Sequence, residues 1–177
     1  MSINTDIVDG VFNSFLKRPK IFINRDALRP DFLPDRFPHR EEQLQRIANI
    51  LAPILQNQRG SNLFVYGQTG TGKTAVVRFV LDRLQNRTRV EGVPAVTSYV
   101  NCRLAGTEYR MLAALGKSLG VDVPFTGLAT TEVLSRFRDT LASQRLLFVA
   151  ALDELDSLIK IYGDALLYQL TRINETI

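Results

Sequence analysis

The 177-residue sequence has the composition of one ordinary soluble domain, with 45% hydrophobic and 23% charged residues. It has no apolar run of the roughly 18 residues that span a membrane, no basic-then-apolar secretory signal, and one cysteine, Cys102, which excludes an internal disulfide and indicates a reducing, cytoplasmic setting. The net charge is +4, and residues 61–145 alone carry +5. This basic excess is compatible with a nucleic-acid partner but does not establish one, because a solvated basic surface has the same composition.

Residues 1–36 are predicted to form an irregular, extended N-terminal segment, because prolines recur at positions 19, 30, 34 and 38. Residues 37–177 are predicted to form the folded domain. A helix is expected to begin near Arg40 and to kink or end at Pro53. Its apolar face consists of side chains three and four residues apart: Leu44, Ile47, Ala48, Leu51 and Leu55.

The rest of the chain alternates predicted strands with predicted helices. Strands are expected over residues 63–66, 95–101 and 146–152. Helices are expected from Lys73 to about Leu84 and over residues 107–119, 131–142 and 164–174, with a surface turn at 83–89 and a loop at 120–130. This alternation predicts an α/β fold with a parallel sheet flanked by helices. The apolar run at 146–152 is typical of a parallel strand buried on both faces.

A loop of the form G-x-x-x-x-G-K-[ST] follows the first predicted strand, with the sequence GQTGTGKT. Such a loop surrounds a triphosphate with backbone N–H groups, and its glycines keep side chains out of that space. The following helix adds the positive end of its dipole. A glycine-rich turn without chemical meaning is the alternative, but the pattern arises by chance in well under ~1% of such chains.

We therefore expect this loop to bind ATP or ADP with Mg²⁺. The predicted nucleotide-binding residues are Gly67, Gln68, Thr69, Gly70, Thr71, Gly72, Lys73 and Thr74. Lys73 is expected to contact the β- and γ-phosphates and to count as a catalytic residue, and the Thr74 hydroxyl is expected to bind the metal.

An acidic pair, Asp153 and Glu154, follows the apolar run at 146–152. In open α/β sheets ligands bind at the carboxyl ends of the strands. Asp153 is therefore predicted to hold Mg²⁺ directly or through water, and Glu154 to orient and deprotonate the attacking water. Taken alone, the pair is at least as well explained as a helix cap, a role that also suits Asp156 and Ser157. The phosphate loop favours the metal site.

The other chemically distinctive side chains are interpreted as structural. His39, the only histidine, is expected at the surface or in a turn, and Cys102 in the core. Tyr66 and Tyr99 are expected to pack rather than to stack on a base.

Longer stretches of sequence indicate a more specific protein family. GQTGTGKT, followed some eighty residues later by LDELDSL, resembles the AAA+ ATPases, whose second motif ends in Asp-Glu. FLPDRFPHREEQLQRIANIL before NLFVYGQTGTGKTAVVRFVL, and LLYQLTRINE after the acidic motif, resemble the archaeal origin-recognition and helicase-loading initiators of the ORC/Cdc type. The similarity covers about residues 20–177.

The resemblance implies further site residues and partners. Leu33, Pro34, His39 and Arg40 match the segment that closes over the adenine base in this family. Residues 102–133 look like the helical insertion that helps the family to hold origin DNA. The basic residues of that insertion are Arg103, Arg110 and Lys117. The implied partners are origin double-stranded DNA, the replicative helicase and other initiator copies, in the cytoplasm at the nucleoid and away from membranes.

The resemblance also implies elements beyond Ile177: a fourth strand with a γ-phosphate-sensing asparagine, an arginine finger, a lid domain and a winged-helix DNA-binding domain. On this interpretation residues 37–177 are a truncated AAA+ nucleotide-binding domain. The family places the fourth strand between its first and third strands, so the sheet of this chain is expected to have a gap.

We therefore expect the ATP-binding module of a replication initiator that, in complete form, recognises origin DNA and loads the replicative helicase. Its ATPase activity is expected to be very weak in this chain. The alternative is an AAA+ ATPase that acts on proteins, such as a transposition helper or a signalling NTPase. A small-molecule kinase would need an arginine-rich lid and a substrate site, which the sequence does not indicate.

Overall fold

The structure is a computed structural model that describes residues 3–17, 22, 24–29, 32–124 and 127–173. Its contacts divide the chain into an N-terminal unit that ends at Asp35 and a larger unit that begins at Arg36. The prolines at 19 and 30, and the predicted end of the last helix at residue 174, lie outside the described residues.

The N-terminal unit contains a helix, α1 (Ile3–Leu16), and a short 3-10 helix, Asp26–Leu28. The prediction of an irregular segment is therefore wrong for residues 3–16. The first proline of the chain comes only at position 19, so nothing interrupts the helix before it. Apolar side chains of α1, such as Val11 and Phe15, are about 60% exposed.

The larger unit alternates helices and strands. In chain order its elements are α2 (Glu41–Leu51), the 3-10 helix Ala52–Gln56, α3 (Lys73–Glu91), β1 (Ala95–Asn101), α4 (Cys102–Ala105), α5 (Glu108–Ser118), α6 (Thr130–Gln144), β2 (Leu147–Asp153), α7 (Asp156–Tyr162) and α8 (Ala165–Thr171). The helices predicted near residues 107 and 131 are present, and Thr107 caps α5 by accepting a hydrogen bond from the backbone N of Arg110.

Two helix predictions need correction. The predicted surface turn at 83–89 belongs to α3, because arginine, leucine and glutamine favour helices and Leu84 and Thr88 are buried. α3 ends only at Glu91, before Gly92. The single final helix predicted from residue 164 is preceded by a separate helix, α7, and Gly163 separates the two.

β1 and β2 form a parallel pair in which Ala95 lies opposite Leu147 and Asn101 opposite Asp153. The predicted α/β class with a parallel sheet is confirmed. Because parallel strands point the same way, their carboxyl ends meet at one edge. The register therefore places the end of β1 beside Asp153, the first residue of the acidic pair.

Alternating residues of the two strands face two separate hydrophobic clusters. One cluster joins the strands to α2 and α3 and includes Ala95, Tyr99, Leu147, Val149 and Ala151. The other joins them to α5, α6, α7 and α8 and includes Val96, Val100, Phe148 and Leu152. Helices on both faces explain why β2 is apolar, but Ala150 is exposed and the other side chains of β2 are half-buried, rather than fully buried as predicted.

The strand predicted at residues 63–66 is not formed. Residues 61–68 have no regular structure, and Phe64 and Tyr66 are 80% and 81% exposed, with their rings stacked 5.7 Å apart. A strand needs a neighbour for its backbone N–H and C=O groups, and none of the described residues pairs with this segment. The apolar pattern is that of a strand, but its partner is missing from the described sheet.

Candidate functional site

The phosphate loop, residues 67–74, leads directly into α3. Gly70 and Gly72 have φ angles of 80° and 82°, in the left-handed region that side chains rarely adopt. Gly72 is also the cap residue before Lys73, the first residue of α3. The first-turn N–H groups of a helix lack partners within the helix, so this loop ends at a group of backbone donors suited to an anion.

Lys73 folds back over the loop from which it projects. Its Nζ donates hydrogen bonds to the carbonyl oxygens of Gly67 at 2.8 Å and Gln68 at 2.7 Å. The Thr71 hydroxyl donates to the same Gln68 oxygen at 2.8 Å. The ammonium is thus held inside the loop by neutral acceptors, and phosphate oxygens form stronger, charge-assisted bonds than such carbonyls do.

Asp153 meets the start of α3 at the end of β2. The Thr74 hydroxyl donates to Asp153 Oδ2 at 2.8 Å, although the two residues are 79 positions apart. The other oxygen, Oδ1, accepts the backbone N–H of Glu154 at 3.0 Å. The structure therefore brings the two predicted metal-binding residues together.

This donor set suits Mg²⁺ held jointly with phosphate. Mg²⁺ takes oxygen ligands, commonly one or two carboxylates together with waters and substrate phosphates. Thr74 and Asp153 offer one hydroxyl and one carboxylate. The described part of the chain has no cluster of three or more histidine, cysteine or acidic side chains arranged to hold a metal by themselves.

Glu154 occupies the turn between β2 and α7. It has a positive φ of 50°, and its carbonyl accepts a hydrogen bond from the Ser157 hydroxyl at 2.7 Å. Its carboxylate is exposed and lies 3.8 Å from the guanidinium of Arg103, which follows β1. The side chain is thus accessible to water beside Asp153, as its predicted role requires. The family resemblance assigns Arg103 to the helical insertion and does not predict its contact with Glu154.

The four predicted adenine-segment residues fall into two units. Leu33 and Pro34 are half-buried in the N-terminal unit, while His39, with φ 61°, and Arg40 immediately precede α2. Nearby, the Phe37 ring meets the Phe79 ring of α3 edge-on, with centroids 5.0 Å apart. The adenine role of these four residues stays a prediction.

Tyr99 belongs to the site, although the sequence indicated only a packing role. Its hydroxyl donates to Asp153 Oδ2 at 2.7 Å. Burial raises the pKa of Tyr99 to about 12, and the hydrogen bond to Asp153 and the charge of Asp153 act in the same direction. The hydroxyl therefore stays a donor at neutral pH. Only the pairing of β1 with β2 reveals this contact, because the two residues are 54 positions apart.

Cys102 lies in the core, as expected. It is fully buried at the start of α4. Burial raises the pKa of its thiol to about 11, and the charge of Asp153 adds to the effect. The thiol is therefore neutral at physiological pH and is not a reactive group of the site.

The AAA domain family matches residues 56–176. The chain belongs to this family. It is 46% identical over 172 residues to ORC1-type DNA replication protein 1 of Sulfolobus acidocaldarius, covering 96% of this chain and 42% of that protein. The solved structure of the Aeropyrum pernix ORC1 protein in complex with DNA has a TM-score of 0.86 and 46% identity, over 90% of this chain and 42% of the other. Cdc6p from Pyrobaculum aerophilum has a TM-score of 0.65 and 26% identity, over 76% and 35% of the two chains.

The predicted resemblance to archaeal initiators of the ORC/Cdc type is confirmed, and the chain is an AAA module of this type. It spans about two fifths of the length of the relatives named above. Among the described residues no helix is both long and apolar enough to cross a membrane.

Proposed function

We propose that this AAA module binds ATP or ADP together with Mg²⁺, through residues 67–74 and Asp153. The hydrogen bond of 2.8 Å between Thr74 and Asp153 carries the proposal, because it joins the phosphate loop to the acidic motif. In this proposal Lys73 pairs with the β- and γ-phosphates, while Thr74 and Asp153 hold the metal. From the family resemblance we also propose Leu33, Pro34, His39 and Arg40 as contacts of the adenine base.

We further propose that the same site hydrolyses ATP slowly. Glu154 accepts a proton from the attacking water at its exposed carboxylate, and Lys73 neutralises charge on the phosphates. When bound, Mg²⁺ supplies further charge neutralisation. No residue of the described site is assigned the role of an arginine finger. Since such a finger contributes about 10³–10⁵ in rate, we expect very weak turnover.

In the complete protein, we propose, the module serves an initiator that binds origin double-stranded DNA, acts with other initiator copies and loads the replicative helicase. The Aeropyrum pernix relative was solved in complex with DNA, and residues 61–145 of this chain carry a charge of +5. The relatives are named as replication proteins, which favours this function over an AAA ATPase that acts on other proteins. The proposed location is the cytoplasm, at the nucleoid.

Nucleotide binding is tested by titrating a fluorescent ATP analogue against Lys73→Ala and a matched control, Lys117→Ala. Lys117 is an exposed lysine of α5. Removing the Lys73 ammonium leaves phosphate charge without its partner, so affinity should fall about ten- to hundredfold. The control should bind like the wild type. Equal affinity of all three proteins would refute the assignment of this loop.

A further inference from the structure

We propose that Tyr99 is a positioning residue for the metal-binding carboxylate: its hydroxyl fixes the orientation of Asp153 and thereby strengthens the binding of Mg²⁺ with nucleotide. This inference rests on the proposed function. It adds a residue from β1 to a site that the sequence motifs assign to the phosphate loop and to the end of β2.

The hydroxyl of Tyr99 and that of Thr74 meet at the same carboxylate oxygen. Tyr99 Oη lies 2.7 Å and Thr74 Oγ1 2.8 Å from Asp153 Oδ2. An ionised carboxylate has about two lone pairs on each oxygen. The two hydroxyls use both acceptor positions of Oδ2, and the N–H of Glu154 uses one position of Oδ1. One position of Oδ1 then remains for a metal ion or its water.

Tyr99 itself is held firmly. Its ring packs in the cluster that joins the strands to α2 and α3, and the guanidinium of Arg78, on α3, lies over the ring at 5.2 Å from its centre. β1 fixes the backbone of Tyr99 opposite Ala151 in β2. The Tyr99 hydroxyl therefore reaches Asp153 from a residue whose ring contacts α3 and whose backbone lies beside β2.

This rigidity matters because the carboxylate torsion of aspartate is soft. The terminal torsion of an aspartate side chain has a broad distribution, so hydrogen bonds must fix it. The Thr74 hydroxyl is itself assigned to the metal and cannot serve as an independent anchor. Three described groups donate to the Asp153 carboxylate: Thr74, Tyr99 and the N–H of Glu154. Of these, only Tyr99 is neither assigned to the metal nor part of the Asp153–Glu154 turn. Residues that hydrogen-bond to metal ligands typically change metal affinity 10–100-fold when replaced.

The test compares Tyr99→Phe with Tyr109→Phe. Tyr99→Phe keeps the ring and its place beside Arg78 but removes the hydroxyl. Tyr109→Phe makes the same chemical change in α5, where the hydroxyl donates to the carbonyl of Pro124. Each protein is titrated with a fluorescent ATP analogue in EDTA, and then with Mg²⁺ at a fixed analogue concentration. Thermal unfolding is measured on the same samples.

We expect Tyr99→Phe to raise the Mg²⁺ concentration for half-saturation about tenfold while leaving metal-free affinity within about twofold. Unchanged metal-free affinity also demonstrates that the variant is folded. In an Asp153→Asn background, Tyr99→Phe should have no further effect on the Mg²⁺ titration, because coupled residues are not additive. Tyr109→Phe should change neither titration.

Two results would overturn the role of Tyr99: a Mg²⁺ titration of Tyr99→Phe that matches the wild type, or an equal loss of affinity with and without metal. The first means that Thr74 and the turn suffice to orient Asp153, and the second that Tyr99 supports the fold. A wild-type chain whose nucleotide binding does not depend on Mg²⁺ would instead overturn the proposed metal site, and this inference with it.

Discussion

Replacing Gln85 with alanine is expected to destabilise the sheet, because this side chain of α3 occupies the outer edge of β1. Gln85 Oε1 accepts hydrogen bonds from the backbone N of Thr97 at 2.7 Å and from its hydroxyl at 3.1 Å. Its Nε2 donates to the carbonyl of Ala95 at 3.4 Å. The opposite edge of β1 pairs with β2, so Gln85 provides what a neighbouring strand would provide.

The magnitude follows from the groups left unpaired. In Gln85→Ala the half-buried N–H of Thr97 loses its partner, and a buried donor without a partner costs about 1–3 kcal/mol. For a domain of this size, the melting temperature falls by roughly 2–4 °C per kcal/mol. The expected loss is therefore larger than that of an ordinary exposed substitution, which stays within about 0.5 kcal/mol.

Urea and thermal unfolding followed by circular dichroism measure this loss. The matched control is Asn86→Ala, the next residue of α3, whose exposed amide donates to the side chain of Asp82 at 3.2 Å. Gln85→Ala should be clearly less stable than Asn86→Ala. Equal stability of the two variants would refute the idea that Gln85 replaces a strand at this edge.

Two further predictions concern Glu154 and Cys102. Glu154→Gln should abolish residual ATP hydrolysis while nucleotide affinity stays within about twofold, measured by phosphate release beside a binding titration; turnover that survives the change would exclude Glu154 as the base. Cys102, whose pKa is raised to about 11 chiefly by burial, should not react with a disulfide reagent at pH 8 until urea unfolds the chain, and rapid reaction of the folded protein would contradict its burial. Because the folded pKa lies above the ordinary value of about 9, the thiol contributes stability fully below pH 9 and loses it as the pH rises toward 11.

The features that the sequence predicts well follow from a local motif or from the general geometry of parallel sheets. The pattern GQTGTGKT depends on residues that are neighbours in the chain, and the structure forms the expected loop and helix there. The parallel pair of strands at 95–101 and 147–153 follows from two apolar runs joined by helices, since such a crossover enforces parallel pairing. The parallel geometry also predicts that the acidic pair at the carboxyl end of β2 lies beside the loop.

The features that sequence reasoning missed depend on partners distant in the chain. Tyr99 is an ordinary aromatic strand residue until β1 pairs with β2 and its hydroxyl reaches Asp153. Residues 63–66 have the composition of a strand, but strand formation requires a hydrogen-bonding neighbour, which a local pattern cannot reveal. The irregular segment predicted for residues 1–36 is wrong at α1 for a different reason: a proline at position 19 does not interrupt a helix over residues that precede it.

The two outer edges of the sheet differ in whether their backbone groups have partners, and this difference affects the nucleotide site. The outer edge of β1 is occupied by Gln85, whereas no strand among the described residues pairs with the outer edge of β2. Unpaired groups on a strand edge are a template for another strand. A strand added there would adjoin β2, which ends at Asp153. Asp153 accepts a hydrogen bond from Thr74 of the phosphate loop. Such a strand would therefore constrain Asp153 and, through this hydrogen bond, the loop, so we expect sheet completion and nucleotide binding to favour one another.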